Sequence, residues 1–294
     1  MGADLSERIV FLSGGSRGIG LAIATRLARD GARVALLAKT AEPHPKLPGT
    51  IYEAAKAIEA EGGEALPIVG DVRDAEQVSA AVSQTADRWG GVDIVVNNAS
   101  AINLSPMRDL EVKRFDLMQQ INARGTFVVT KACLPHLRES DHAHVLTLSP
   151  PLSADPKWLL GNSAYTLSKM GMTMLTLGVA QDEKESGIAA NCVWPRTLIA
   201  TAAVQNLLGG NVTMAKARSP EIVGDAAHAI LTRDPADCTG RSFIDDEALA
   251  EAGITDLSPY SEPGPELQLD LFLDDWGVGD LQAPQGGRMR PMSQ

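Results

Sequence analysis

Ile9-Val10-Phe11-Leu12-Ser13-Gly14-Gly15-Ser16-Arg17-Gly18-Ile19-Gly20 decides the reading of this chain. Four consecutive apolar residues suit a strand buried on both faces. The glycines after them let the backbone turn tightly and come close to an anion. Residues 19–30 carry a helical pattern, and the free amides at that helix's start point back at the same anion. A glycine pattern alone is weak. Between a strand and a helix, at the first βα turn, it predicts a pyrophosphate cradle of Gly14, Gly15, Ser16, Arg17, Gly18, Ile19 and Gly20.

The same rhythm continues outward. Short, continuous apolar runs recur at 34–38, 65–69, 94–96, 145–148, 189–193 and 242–244. Helical patterns separate them, at 51–61, 75–89, 117–138 and 164–185. Strand–helix repetition at this spacing predicts an α/β fold. It is a Rossmann-type doubly wound parallel sheet of about seven strands, with helices on both faces. Residues 1–257 read as one domain. From 258 the chain becomes proline-rich and acidic, and its apolar stretch around 267–276 predicts packing on the body or on a neighbouring subunit.

Composition narrows the function. The 294 residues are 44% hydrophobic and 21% charged, which excludes a disordered chain. No apolar run reaches the roughly 18 residues of a membrane span, and the start of the chain lacks a secretory pattern. The net charge of −11 disfavours a nucleic-acid partner. Most of it lies beyond residue 244, where eleven acids face two bases. Cys133, Cys192 and Cys238 form no CxxC pair, and the histidines form no HExxH, so no metal site is expected.

Strand 2 ends in Leu37-Ala38-Lys39, where an NAD site usually presents an acid to the ribose. Lys39 and the nearby Arg17 instead suit a 2′-phosphate, so the expected cofactor is NADP(H). Asp71 and Val72, after strand 3, are candidates for the adenine. Asn98, after strand 4, is a candidate for stiffening the loop beside the cofactor. Tyr165 and Lys169, spaced i and i+4, share one helix face. An ammonium beside a phenol lowers its pKa and brings proton transfer within reach. A carbonyl or secondary alcohol is then the expected small-molecule substrate.

With the glycine loop and Tyr165-Thr-Leu-Ser-Lys169 in hand, residues 7–245 resemble the short-chain dehydrogenase/reductase family. The stretches 39–52, 145–152, 194–197 and 272–275 resemble its hydroxysteroid dehydrogenase-like branch. The resemblance implies Tyr165 as proton donor or acceptor and Lys169 as its partner. It implies Asn122 as holder of a linking water, and Thr197 as a contact of the nicotinamide. It also implies a serine near Tyr165. Ser149 is preferred, with Ser153 as the alternative. Arg196 stands where the wider family has glycine, and reaches the cofactor, an acidic substrate or solvent. Residues 197–218 are expected to form a lid with an apolar lining, favouring a lipid-, steroid- or acyl-like substrate. A homodimer or homotetramer and a cytoplasmic location are expected. A non-catalytic NADP(H)-binding sensor or scaffold remains the alternative.

Overall fold

A computed structural model describes residues 4–43, 49–207 and 210–274. Seven parallel strands run in the order β3-β2-β1-β4-β5-β6-β7. They are β1 (Ile9–Ser13), β2 (Arg33–Ala38), β3 (Glu64–Val69), β4 (Ile94–Asn97), β5 (His144–Leu148), β6 (Ala189–Trp194) and β7 (Ser242–Ile244). Every residue of β1, β4, β5 and β6 is buried, as strands covered on both faces require. β3 differs. It is an edge strand, half-exposed along its length, and tolerates Pro67 because no strand among the described residues pairs with its outer side.

The helices are α1 (Gly18–Ala28), α2 (Ile51–Ala60), α3 (Ala75–Trp89), α4 (Val112–Ile121), α5 (Ala123–Leu137), α6 (Ser163–Asp182), α7 (Ala202–Leu207), α8 (Gly210–Met214), α9 (Glu221–Leu231) and α10 (Asp245–Glu251). One core packs Ile23 and Leu27 of α1, Ile58 of α2, Ile230 of α9 and Leu249 of α10 on one face of the sheet. A second packs Val78 and Val82 of α3 with Val129 and Leu137 of α5 on the other. A third, smaller cluster lies at the carboxyl ends of the strands and includes Tyr165, Trp194 and Phe272.

Strand order reverses between β1 and β4, so the loops leaving these strands diverge and open a crevice. The expected helix over 117–138 is two helices. The chain breaks at Asn122 (φ −73°, ψ −79°), between α4 and α5. All three cysteines are free and buried.

Candidate active site

The glycine loop sits at the crevice. Gly14 (φ +78°) and Gly18 (φ +55°) take left-handed conformations that favour glycine. A Cβ on Gly20 would lie 2.5 Å from the Asn98 amide nitrogen and 2.6 Å from the Gly14 carbonyl. A Cβ on Gly15 would strike the side chains of Leu36 and Leu12. These glycines therefore let the loop fold tightly onto β4 and β2. Asn98 fixes it there, its Nδ2 donating to Gly14 O at 2.8 Å.

α1 begins beside this loop with no side-chain cap and no acid in its first turn. Its leading amides are left for an anion. Arg17 donates to Gly49 O at 3.0 Å, while its buried Nε has no partner. Such an uncapped helix start and an orphaned cationic donor fit a pyrophosphate-bearing cofactor.

The ends of β2 and β3 bring three more expected or unexpected groups together. Lys39 Nζ lies 3.1 Å from Asp71, and Arg73 grips the same carboxylate at 2.6 Å. Arg73 first, and Lys39 after it, hold the Asp71 carboxyl well below the usual range. Arg73 follows directly on the Asp71-Val72 pair, and the charge-counting that singled out Lys39 applies to it equally. Val72 is buried, packing towards Gly125 at the start of α5.

Tyr165 and Lys169 lie one turn apart on α6 and are 5% and 3% exposed. Lys169 Nζ donates to Leu148 O at 2.7 Å and lies over the Trp194 ring, 5.2 Å from its centroid. Burial pulls this amine down to about 7. The expected lowering of the Tyr165 pKa is reversed. Burial, with Asp270 adding to it, pushes the phenol well above its ordinary value. Loss of solvent outweighs an ammonium whose own charge is weakened by the same burial.

Asn122 is fully buried at the α4–α5 break. Its amide accepts from Ala101 N at 2.7 Å, and donates to Ala101 O at 2.9 Å and to Ser168 Oγ at 2.8 Å. It ties α6 to the segment after β4, one residue from Lys169.

The structure also places the two candidate serines and Arg196. Ser149 is 0% exposed, and its hydroxyl lies beside the Cys192 thiol without a hydrogen-bond partner. Thr173 and Thr176 reach the same thiol. Ser153 is exposed in a turn, its Oγ accepting from Asp155 N. Arg196 does not point to solvent. It is 1% exposed and paired with Asp246 at 2.8 Å and with Glu247.

Thr197 is buried, its hydroxyl donating to Leu198 O. Its backbone bridges antiparallel to Leu269. The expected lid holds the short helices α7 and α8; Leu208 and residue 209 lie outside the described residues. The apolar stretch around 267–276, expected to pack on the body or on a neighbouring subunit, has its described part over this end of the site, a placement the sequence did not foretell. Phe272 sets its ring 6.3 Å from that of Tyr165 and 5.8 Å from those of Trp158 and Trp194. The apolar run around 267–276 was the signal. The tail from 275 onward lies outside the described residues.

A family model described as short chain dehydrogenase matches residues 8–209. The chain belongs to the short-chain dehydrogenase family. It is 52% identical over 267 residues to hydroxysteroid dehydrogenase-like protein 2 of Xenopus tropicalis, covering 90% of this chain and 63% of that relative. The chain therefore spans under two thirds of that relative's length. A solved short chain dehydrogenase from Mycobacterium thermoresistibile is 53% identical, with a TM-score of 0.89 over 95% of this chain and all of that one. A solved chain from Xanthomonas campestris is 54% identical, with a TM-score of 0.89 over 92% of this chain and 99% of that one. A short-chain dehydrogenase of this fold binds a nicotinamide cofactor, and the crevice described above suits one. Among the described residues no group of histidines, cysteines and acids could hold a metal, and no helix is long and apolar enough to cross a membrane.

Proposed function

We propose that this short-chain dehydrogenase is an NADP(H)-dependent oxidoreductase that interconverts an apolar carbonyl compound and its secondary alcohol. The observation that carries the reading is the buried Tyr165–Lys169 pair, one helical turn apart, at the same carboxyl-end face of the sheet as the uncapped start of α1. Reduction of a carbonyl needs a hydride on carbon and a proton on oxygen. The nicotinamide cofactor supplies the hydride. Tyr165, kept protonated by burial, donates the proton as charge builds on the oxygen. Lys169, fixed by Leu148 O, holds positive charge beside the phenolate that results.

The cation-rich corner at Lys39, with Arg73 beside it and Arg17 in the loop, supports a 2′-phosphate and hence NADP(H) over NAD(H). The aromatic and aliphatic surroundings of Tyr165, including Trp158, Trp194, Ile102 and Leu104, support an apolar substrate. NADPH and NADH consumption against steroid, aliphatic, aromatic and acyl-thioester carbonyls tests the whole reading. Turnover with NADPH that prefers apolar carbonyls is expected. Cofactor binding without turnover of any carbonyl would favour the sensor alternative.

Self-association belongs to the same proposal. Phe127 on α5 is 48% exposed, and Leu167 and Met174 on α6 are 58% and 62% exposed. Two neighbouring helices presenting apolar side chains outward suit a face shared with a second copy. Light scattering should give twice or four times the chain mass, and Met174→Glu should lower it.

A further inference from the structure

The surroundings of the Lys169 amine are neutral. Its Nζ donates to Leu148 O at 2.7 Å, approaches Met172 Sδ at 3.6 Å, and stands 5.2 Å from the centre of the Trp194 ring. Lys169 is 3% exposed and Trp194 6%. Among the described residues no carboxylate lies within ion-pair distance of this amine. A buried ammonium needs an opposite charge or a full set of acceptors. It has three donors, and a thioether is a weak acceptor. One carbonyl and one sulfur leave the indole face to supply the rest.

The fold brings the two together by matched spacings. Alternate residues of a strand share a face, so Cys192 and Trp194 of β6 both look towards α6. The Cys192 thiol meets Thr173 and Thr176 there. Trp194 lies about 6.6 Å further along the strand. α6 runs against the strands, so four residues back from Thr173, about 6 Å of helix, reaches the same level. That residue is Lys169. The indole is then fixed in place. Its Nε1 donates to Leu271 O at 2.8 Å, and an edge contact joins it to Phe272, with ring centres 5.8 Å apart at 61°.

We propose that Trp194 is a positioning residue of the reacting centre, whose ring face holds the Lys169 ammonium where a carboxylate would otherwise stand. This deepens the oxidoreductase reading and rests on it. The face of an aromatic ring attracts a cation within about 6 Å of its centre; tryptophan does so best, and most strongly away from water. The attraction acts on the ammonium and not on the neutral amine. It therefore opposes burial, which pulls Lys169 down to about 7. The ionisable groups facing the amine are Asp270 and the Cys192 thiol, with Tyr165 one turn earlier on α6. A carboxylate at the place of the indole would hold the ammonium, but it would also oppose the phenolate left when Tyr165 gives up its proton. A ring without net charge holds the first and does far less to the second.

The test uses the full chain and two kinds of variant. Trp194→Phe keeps a ring face but loses the bond to Leu271 O; Trp194→Leu loses both. Trp194→Met, longer and still apolar, replaces Trp194→Leu if that variant does not fold. NMR of isotope-labelled lysine follows the Lys169 amine from pH 5 to 9 without substrate, its signal assigned through Lys169→Arg. Lys169 should titrate lower by about one pH unit or more in Trp194→Leu, and near its wild-type position in Trp194→Phe. With a carbonyl that is turned over, the alkaline limb of the kcat profile should move down in Trp194→Leu and recover in Trp194→Phe. A purely structural role, exerted through the Phe272 segment, would move both variants alike. An equal shift in both, or none in Trp194→Leu, would overturn the proposal. A shift confined to the ring-free variant, with no turnover of any carbonyl by the wild type, would uphold the role of Trp194 and sink the oxidoreductase reading instead.

Discussion

The two sides of the crevice are built differently. The cradle side is local. β1, the glycine loop and α1 run from residue 9 to residue 28, and Asn98 ties the loop to the end of β4. The reacting side gathers α6, the end of β6, and the Phe272 segment about a hundred residues beyond Tyr165. The local side is written in backbone conformation, which a few glycines specify. The assembled side is written in burial, which shifts the proton affinities of Tyr165 and Lys169 together.

Four substitutions break or sharpen this contrast. The largest expected effect is on the assembled side. Tyr165→Phe should lower kcat by about a hundred- to ten-thousandfold, the usual worth of a positioned acid, and leave NADPH affinity nearly unchanged. Retained turnover would remove Tyr165 from the chemistry. Gly20→Ala comes next, on the local side. Its Cβ would strike Asn98 and Gly14, so overpacking of about 1–3 kcal/mol is expected. Fluorescence titration should show NADPH binding weakened by about tenfold or more, and the thermal midpoint should fall.

Lys39→Ala is smaller, because Lys39 is mostly exposed and solvent screens it. NADPH affinity should fall about five- to tenfold and NADH affinity should not. Equal losses would refute a 2′-phosphate contact. Ser149→Ala should do least. Its hydroxyl is buried without a partner, so removing it costs little and can stabilise. Turnover should hold; a tenfold loss would return Ser149 to the reacting centre.

The same contrast explains what was legible in the sequence. The seven strands and most helices were, because apolar runs and helical periods are local signals. β3 as a half-exposed edge was less so, since its composition matches the inner strands and only Pro67 hints otherwise. The break at Asn122 was hidden inside a continuous helical pattern. Glycine loop, Lys39, Tyr165 and Lys169 announced themselves by spacing. Arg196 did not, because its partners Asp246 and Glu247 lie fifty residues on.

The three buried cysteines give the molecule its own stopwatch. Cys133 sits on α5, Cys192 on the central sheet and Cys238 just before β7, at 0%, 0% and 2% exposure. A thiol in such a place reacts only when its surroundings open, so its labelling rate measures local opening rather than intrinsic reactivity. A thiol-reactive dye followed by mass spectrometry would therefore rank three regions by how often each breathes, without any engineered probe.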